Sequence, residues 1–298
     1  MPGKVLVTGI SSFTGPYLAE KLVALGYEVV GLSNNHIELS NALVLPGNLL
    51  DADGLRQSID ELRPDFVIHL AAITFVPHGD IAEMYMTNVV GTRNLLQALA
   101  ESETSPQKVI LASSANVYGN TVEGELAEST AFSPANDYAA SKVAMEFMAG
   151  IWLDRLPISI VRPFNYTGVG QADKFLIPKI VSHFQQKKSV IELGNIDVVR
   201  DFSDVRFVAD AYAALLQKAE VGEAYNLCSG EGHSLKSLIK SMNEIAGYEI
   251  EVTVNPAFVR ENEVRRLVGS NEKLLGLCPE LSPVDMRDTL AWMFQNKP

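Results

Sequence analysis

The sequence predicts an α/β protein: a doubly wound, largely parallel sheet covered by helices on both faces, with a smaller C-terminal α/β lobe. Three observations predict it. Apolar, β-branched runs alternate with helical patterns from residue 4 onward. The runs are continuously apolar rather than alternating, as in strands buried on both faces. A turn carrying two glycines follows the first run and opens the first helix.

Residues 4–8 (KVLVT) read as the first strand, and Leu18, Leu22 and Leu25 then mark one face of a helix that Gly26 stops. Strands follow at 28–32 and 43–45, a helix at 52–62, a strand at 65–70 (DFVIHL), a helix at 80–102 and a strand at 108–112 (KVILA). A helix at 138–154 and a strand at 158–162 (ISIVR) complete the regular alternation. After Arg162 the segments shorten, with loops rich in Gly, Asn and Arg at 165–174 and 194–204. A helix at 204–218 and a strand at 224–228 are expected to return to the main sheet, and a last helix to open with Ser282 as N-cap, Pro283 at the first position and Asp285 three residues on. The organisation expected is a first domain of residues 1–164, joined again by 204–228, and a lobe of 165–203 and 229–298.

The composition is that of a globular enzyme: in 298 residues, 47% hydrophobic and 20% charged exclude disordered, collagen-like and disulfide-scaffold classes. With 24 Lys+Arg against 36 Asp+Glu, the net charge of −12 argues against a nucleic-acid surface, and an anionic ligand would need a local cluster of cations. Cys228 and Cys278 lie far apart and match no zinc spacing, so no metal site is expected. That cysteine usage, no run of 18 apolar residues and no apolar leader at the start give a cytoplasmic, non-membrane expectation.

Residues 8–15 (TGISSFTG) stand between the first strand and first helix, where a dinucleotide pyrophosphate sits in a doubly wound fold. Gly9 suits the tight turn, Gly15 lets strand and helix pack, and the helix N-terminus offers N–H groups to phosphate. Ser12 stands where a third glycine is common, and a plain strand-to-helix turn would use the same glycines; the position after the first strand favours the coenzyme. The second strand ends in Leu32-Ser33-Asn34-Asn35-His36, with no carboxylate to take ribose hydroxyls or repel a 2′-phosphate, and no Arg to clamp one. NADP(H) is therefore expected, with NAD(H) left open, and His36 reads as a solvated loop residue.

Tyr138-Ala-Ala-Ser-Lys142 places a phenol and an ammonium one helical turn apart, so that the ammonium is expected to lower the phenol pKa and make it a usable proton donor and acceptor. Ser114, in the run LASSANVYG (111–119), ends the fifth strand on the edge where open α/β sheets bind ligands. A structural helix with a surface Lys would also carry Y-x-x-x-K; the Ser-bearing strand end and the glycine loop in the right order favour catalysis.

Taken with HLAA (69–72), NVVGT (88–92) and RPFNYTG (162–168), these motifs resemble the extended short-chain dehydrogenase/reductase family of nucleotide-sugar enzymes, with its Rossmann-like fold, over nearly the whole chain. The resemblance implies a catalytic set of Ser114, Tyr138 and Lys142. It implies coenzyme contacts at Gly9, Ser12, Phe13, Thr14, Gly15, Ser33, Asn34, Asn35, Asn48, Leu49, Leu70, Ala71, Ala72, Asn88 and Arg162, as well as at Tyr138 and Lys142. Asn48 stands where the family usually has an Asp near the adenine. His69 reads as a satisfied core histidine. Met84, Met86, Met145 and Met148 fall on helices resembling the family's dimer-forming pair, so a homodimer through 80–102 and 138–154 is expected, with internal core as the rival reading of the methionines.

In the second half, Asn165, the segment GNIDVVRDF (194–202) and RENEV (260–264) resemble the GDP-mannose branch of that family. The resemblance places a diphosphate at Asn165, Arg200 and Arg260 and a ribose at Glu263, chemistry that bidentate guanidiniums and a carboxylate suit. Thr74, Ser114, Asn116, Lys174, Phe175, Lys179 and Asn195 complete the expected substrate set. A 4,6-dehydratase of this branch needs a carboxylate base two residues after its Ser or Thr, where this chain has Asn116, and the chain is shorter than typical dehydratases. A 4-epimerase usually has the acid at the end of the second strand. The reaction expected is NAD(P)H-dependent reduction of a GDP-linked 4-keto-6-deoxyhexose; a 4,6-dehydratase or another epimerase/reductase of the family is the alternative.

Overall fold

The computed structural model describes residues 2–35, 37–74, 80–119, 124–256 and 266–296. In chain order it runs β1 (Lys4–Thr8), α1 (Gly15–Ala24), β2 (Glu28–Ser33), β3 (Leu43–Pro46), α2 (Ala52–Leu62) and β4 (Phe66–His69). It continues through α3 (Ile81–Tyr85), a π-helical turn (Met86–Gly91), α4 (Thr92–Glu101), β5 (Lys108–Ala112), a 3-10 turn (Ala115–Tyr118), β6 (Glu125–Leu126), α5 (Asp137–Gly150) and β7 (Ile158–Pro163). Next come β8 (Asn165–Thr167), α6 (Leu176–Gln185), β9 (Val190–Leu193), β10 (Val199–Asp204), α7 (Val205–Lys218) and β11 (Ala224–Leu227). It ends with β12 (Gly232–Ser234), α8 (Leu235–Ala246), β13 (Glu251–Val254), β14 (Arg266–Gly269), α9 (Glu272–Leu277) and α10 (Met286–Gln295).

Seven parallel strands form the main sheet in the order β11-β7-β5-β4-β1-β2-β3. Both faces are buried. Val5, Val7, Ile68 and Ile110 pack with Leu18 and Leu22 of α1 and Phe207, Val208 and Leu215 of α7. On the opposite face Leu6, Val67, Val109 and Leu111 pack with Ile59 of α2, Leu95 and Leu99 of α4 and Met145 of α5. This two-sided burial is why the strands read as continuous apolar runs; each fully buried Leu or Val contributes about 1.5–3 kcal/mol. Strand order reverses between β1 and β4, so a crevice opens beyond their C-terminal ends.

The smaller sheet is built around β10, which pairs with β8, β12 and β14, while β6, from within the first 164 residues, pairs with β14. Its core joins Ile180 and Phe184 of α6, Leu238 and Met242 of α8 and Leu290 of α10. Among the described residues no helix is long and apolar enough to cross a membrane.

Local chemistry explains the helix ends. After α1, Gly26 (φ +88°) sends its N–H to Val23 O and Tyr27 sends its own to Leu22 O, a Schellman closure that needs the left-handed glycine. The run expected as one helix over 80–102 carries the π turn, which turns Asn88 inward; the helix expected over 138–154 ends at Gly150. The final helix begins at Met286 rather than Pro283: Asp285, whose carboxylate accepts from Arg287 N at 2.7 Å, is the cap in place of Ser282. Met84 and Met145 are core residues and Met148 packs against the same cluster, while Met86 is exposed. Ile81 and Phe147 (68% exposed) are exposed on the same helical elements, as is Ile151 (77%) just past the end of α5.

Candidate active site

A cavity of about 1140 Å³ follows the crevice from Ser33 and Gly47, past Gly9–Thr14, to Ser114, Tyr138 and Lys142, and on to Asn165 and Arg200. Its coenzyme-side wall depends on missing side chains. A Cβ on Gly9 (φ +70°) would stand 2.6 Å from Ala71 N, and one on Gly15 would stand 1.9 Å from Ile10 O. The loop therefore closes tightly on the segment after β4 and presents residues 11–14, ending at the N-cap of α1, to the cavity, an arrangement suited to a pyrophosphate. At the end of β2, Ser33 Oγ lies 2.8 Å from Ser11 Oγ and accepts from Asn35 N, and Ser33, Asn34 and Asn35 all face the cavity. Asn48, Leu49, Leu70, Ala71 and Ala72 line the same half, and Asn48 Oδ1 takes the Leu50 N–H at 2.9 Å.

The expected catalytic groups converge. Tyr138 and Lys142, buried one turn apart on α5, line the cavity beside Ser114 at the end of β5. Ser114 Oγ accepts from Asn116 N (3.2 Å) and Asn116 Nδ2 (3.0 Å), filling its two acceptor positions, so its single O–H is left to donate to the Tyr138 phenol. Lys142 Nζ donates to the Ala112 carbonyl at 2.8 Å. Burial pushes the phenol of Tyr138 up to about 12 against the pull of the Ser114 hydrogen bond. Loss of water around the phenolate dominates at this position. Burial brings the Lys142 ammonium down to about 8, with Glu146 opposing.

His69 is a satisfied core residue, its ring nitrogens 2.6 Å from Thr8 Oγ1 and 2.8 Å from Thr92 Oγ1. Thr92 spends its hydroxyl proton on Asn88 O (2.8 Å), so the network assigns the ring proton to Nε2; burial pulls this imidazole down to about 3, and it stays neutral.

Three residues expected at the coenzyme stand off the cavity wall. Gly15 acts through packing alone. Asn88 is fully buried and bonds Ile73 N (2.8 Å), Ile73 O (3.1 Å) and Ser141 Oγ (3.0 Å), tying the segment after β4 to α5. Arg162 points into the protein: its guanidinium grips Glu146 through Nε (3.0 Å) and Nη2 (2.7 Å), while Nη1 donates to Tyr118 Oη and Glu128 O. With its donors committed there, Arg162 holds α5 against β7 rather than a ligand.

On the other half, Thr74, Asn116, Asn165, Lys174, Phe175, Lys179, Asn195 and Arg200 all line the cavity, whereas Arg260, Glu263 and His36 lie outside the described residues. Strand alternation along β10 explains the arrangement there. Arg200 and Phe202 face the cavity, while Asp201 between them is fully buried and accepts from Ser229 Oγ (2.7 Å), Ser229 N (2.9 Å) and Gly230 N (3.0 Å). Burial raises the Asp201 pKa against those bonds. The described lining carries four cations, Lys142, Lys174, Lys179 and Arg200, against one carboxylate, Glu83, an inversion of the −12 net charge that suits a polyanionic ligand.

Sequence reasoning missed Glu83, Thr87, Tyr166, Gln171 and Tyr212 on this wall. Glu83 and Thr87 share the four-residue spacing of Tyr138 and Lys142, which was the available signal.

A family model described as GDP-mannose 4,6 dehydratase matches residues 6–277. The chain is 34% identical over 296 residues to GDP-6-deoxy-D-talose 4-dehydrogenase of Aggregatibacter actinomycetemcomitans, covering 99% of this chain and 98% of the relative. It is 36% identical over 296 residues to GDP-6-deoxy-D-mannose reductase of Pseudomonas aeruginosa, covering 95% and 94%. Among solved structures, RMD from Pseudomonas aeruginosa complexed with NADPH superposes with a TM-score of 0.85 at 34% identity, covering 99% of this chain and 97% of that one. A putative epimerase from Burkholderia cenocepacia gives a TM-score of 0.94 at 48% identity, covering 99% and 98%.

Proposed function

Because the chain belongs to the GDP-mannose 4,6-dehydratase family, we propose that it reduces the C4 ketone of GDP-4-dehydro-6-deoxy-D-mannose with NAD(P)H. The product is a GDP-6-deoxyhexose, either GDP-D-rhamnose or its C4 epimer GDP-6-deoxy-D-talose; the two relatives support the substrate class. The NADPH-bound neighbour, with a β2 end free of carboxylates among the described residues, supports NADPH as coenzyme.

The observation that carries the reading is the Asn116 amide. It stands where a dehydratase would need its carboxylate base, and it donates to Ser114 Oγ, so the site holds a carbonyl oxygen and a proton donor but no base at that position. NADPH supplies the hydride when bound at the Gly9–Gly15 loop. On ketone binding the Ser114 O–H turns from the phenol to the ketone oxygen, and Tyr138, neutral at physiological pH because burial holds its phenol up to about 12, gives its proton to that same oxygen. The Lys142 ammonium stabilises the phenolate left behind. Asn165, Lys174 and Arg200, together with Arg260 and Glu263 outside the described residues, hold the GDP moiety. Segments 1–164 and 204–228 then serve the coenzyme, and 165–203 and 229–298 the nucleotide sugar. A homodimer through the helical runs at 80–102 and 138–154 is supported by exposed Ile81, Met86, Phe147 and Ile151, and a cytoplasmic location by the two free cysteines, both buried.

The test is turnover of GDP-4-dehydro-6-deoxy-D-mannose with NADPH, followed by coenzyme absorbance and product NMR. Consumption of GDP-mannose without added reductant would instead establish the dehydratase. In the same assay kcat/KM is expected to stay level through neutral pH and fall roughly tenfold per pH unit above about 8, as Lys142 loses its proton. A profile level to about pH 10 removes Lys142 from that role.

A further inference from the structure

The wall residue Tyr166 has no part in the chemistry above, yet three contacts join its segment to the coenzyme loop and to the helix that follows it. Tyr166 Oη lies 2.8 Å from Thr14 Oγ1. The Phe13 ring stacks on the Tyr166 ring, with centroids 6.0 Å apart and planes 11° from parallel. Tyr17 Oη, one turn further along α1, donates to Val169 O at 2.7 Å. Thr14 is the N-cap residue of α1 but makes no side-chain cap bond; its hydroxyl is turned across the crevice to Tyr166 instead.

The same segment forms the substrate-side wall. Asn165 precedes Tyr166, and Gln171 brackets the segment, donating from Nε2 to Tyr166 O (3.1 Å) and accepting at Oε1 from Thr167 Oγ1 (2.8 Å). Lys174 and Phe175 follow on the same wall. A displacement of residues 165–171 by a nucleotide sugar is therefore passed to Thr14, and ordering of the Gly9–Gly15 loop by a dinucleotide is passed back. We infer that Tyr166 is a positioning residue whose hydroxyl latch on Thr14 makes coenzyme and sugar-nucleotide binding mutually reinforcing. The inference rests on the two-nucleotide reading of the cavity.

The test measures GDP binding by titration calorimetry, with and without saturating NADPH, in the wild type, Tyr166→Phe, Thr14→Val and the double variant. The wild type is expected to bind GDP at least about fivefold tighter with NADPH, and by reciprocity NADPH equally tighter with GDP. Each single variant is expected to bring that factor to within about twofold of unity, and the double variant to lose no more than either single, because one shared contact can be lost only once. Thr14→Val reaches the latch from the other side, so the readout does not hang on one variant. A coupling factor near unity in the wild type, or one that survives in Tyr166→Phe, overturns the latch. Absence of GDP binding by the wild type in either state overturns the functional reading and the latch with it, a result distinct from binding without coupling.

Discussion

Tyr138→Phe is expected to lower kcat for ketone reduction by about 10²- to 10⁴-fold, the range that a positioned proton donor supplies. The substitution keeps the ring and its packing and deletes one oxygen from a side chain that is 6% exposed. Deleting the oxygen leaves the Ser114 O–H without its acceptor, while both Asn116 donors still hold Ser114 Oγ in place. Stability should fall by no more than the 0.5–1.5 kcal/mol of roughly one net hydrogen bond. NADPH and GDP affinities should stay within about threefold, since neither ligand is held through the phenol oxygen alone. The loss should therefore fall on kcat and leave KM almost untouched, the mark of an interaction made in the transition state. Turnover within tenfold of wild type would remove Tyr138 as the proton donor and leave Ser114 or a water to take its place.

What the sequence made legible was whatever is written at short range. β1, β4, β5 and β7 announce themselves because burial on both faces forces unbroken apolar runs. Tyr138 and Lys142 share a wall because four residues are about one helical turn. Properties set by distant neighbours were not legible. Nothing local to Arg162 says that its partner is Glu146, and nothing near Thr14 points to Tyr166. A pull of Lys142 on the phenol was read from spacing, but the burial that raises the phenol pKa belongs to the assembled core. The start of α10 was read at Ser282, with Asp285 inside the first turn, and only the backbone geometry makes Asp285 the cap. The π turn that carries Asn88 inward leaves no mark on the apolar pattern of its helix.

The second large effect belongs to Arg162, the residue whose role changed most between sequence and structure. Arg162→Leu is expected to destabilise the protein by about 3–5 kcal/mol, because it strands the Glu146 carboxylate at 7% exposure without its bidentate partner. In thermal unfolding this corresponds to a fall in Tm of roughly 5–8 °C. Removing both charges, as in Glu146→Gln combined with Arg162→Met, should recover most of the loss. The buried charge that made the single change costly is then gone, and the side-chain amide introduced at position 146 keeps an acceptor oxygen for the Ser113 hydroxyl. The two variants should also move the kinetics in opposite directions. Glu146 lies four residues after Lys142 on α5 and raises the ammonium pKa against burial. With Arg162 gone, the whole carboxylate charge acts on Lys142, so the alkaline limb of kcat/KM should move above about 8. With Glu146 neutralised, burial acts unopposed and the limb should move below that value. Limbs that coincide in both variants would show that the pair holds α5 against β7 without tuning the catalytic lysine, whereas opposite shifts would make Arg162 and Glu146 part of the pH response as well as the packing.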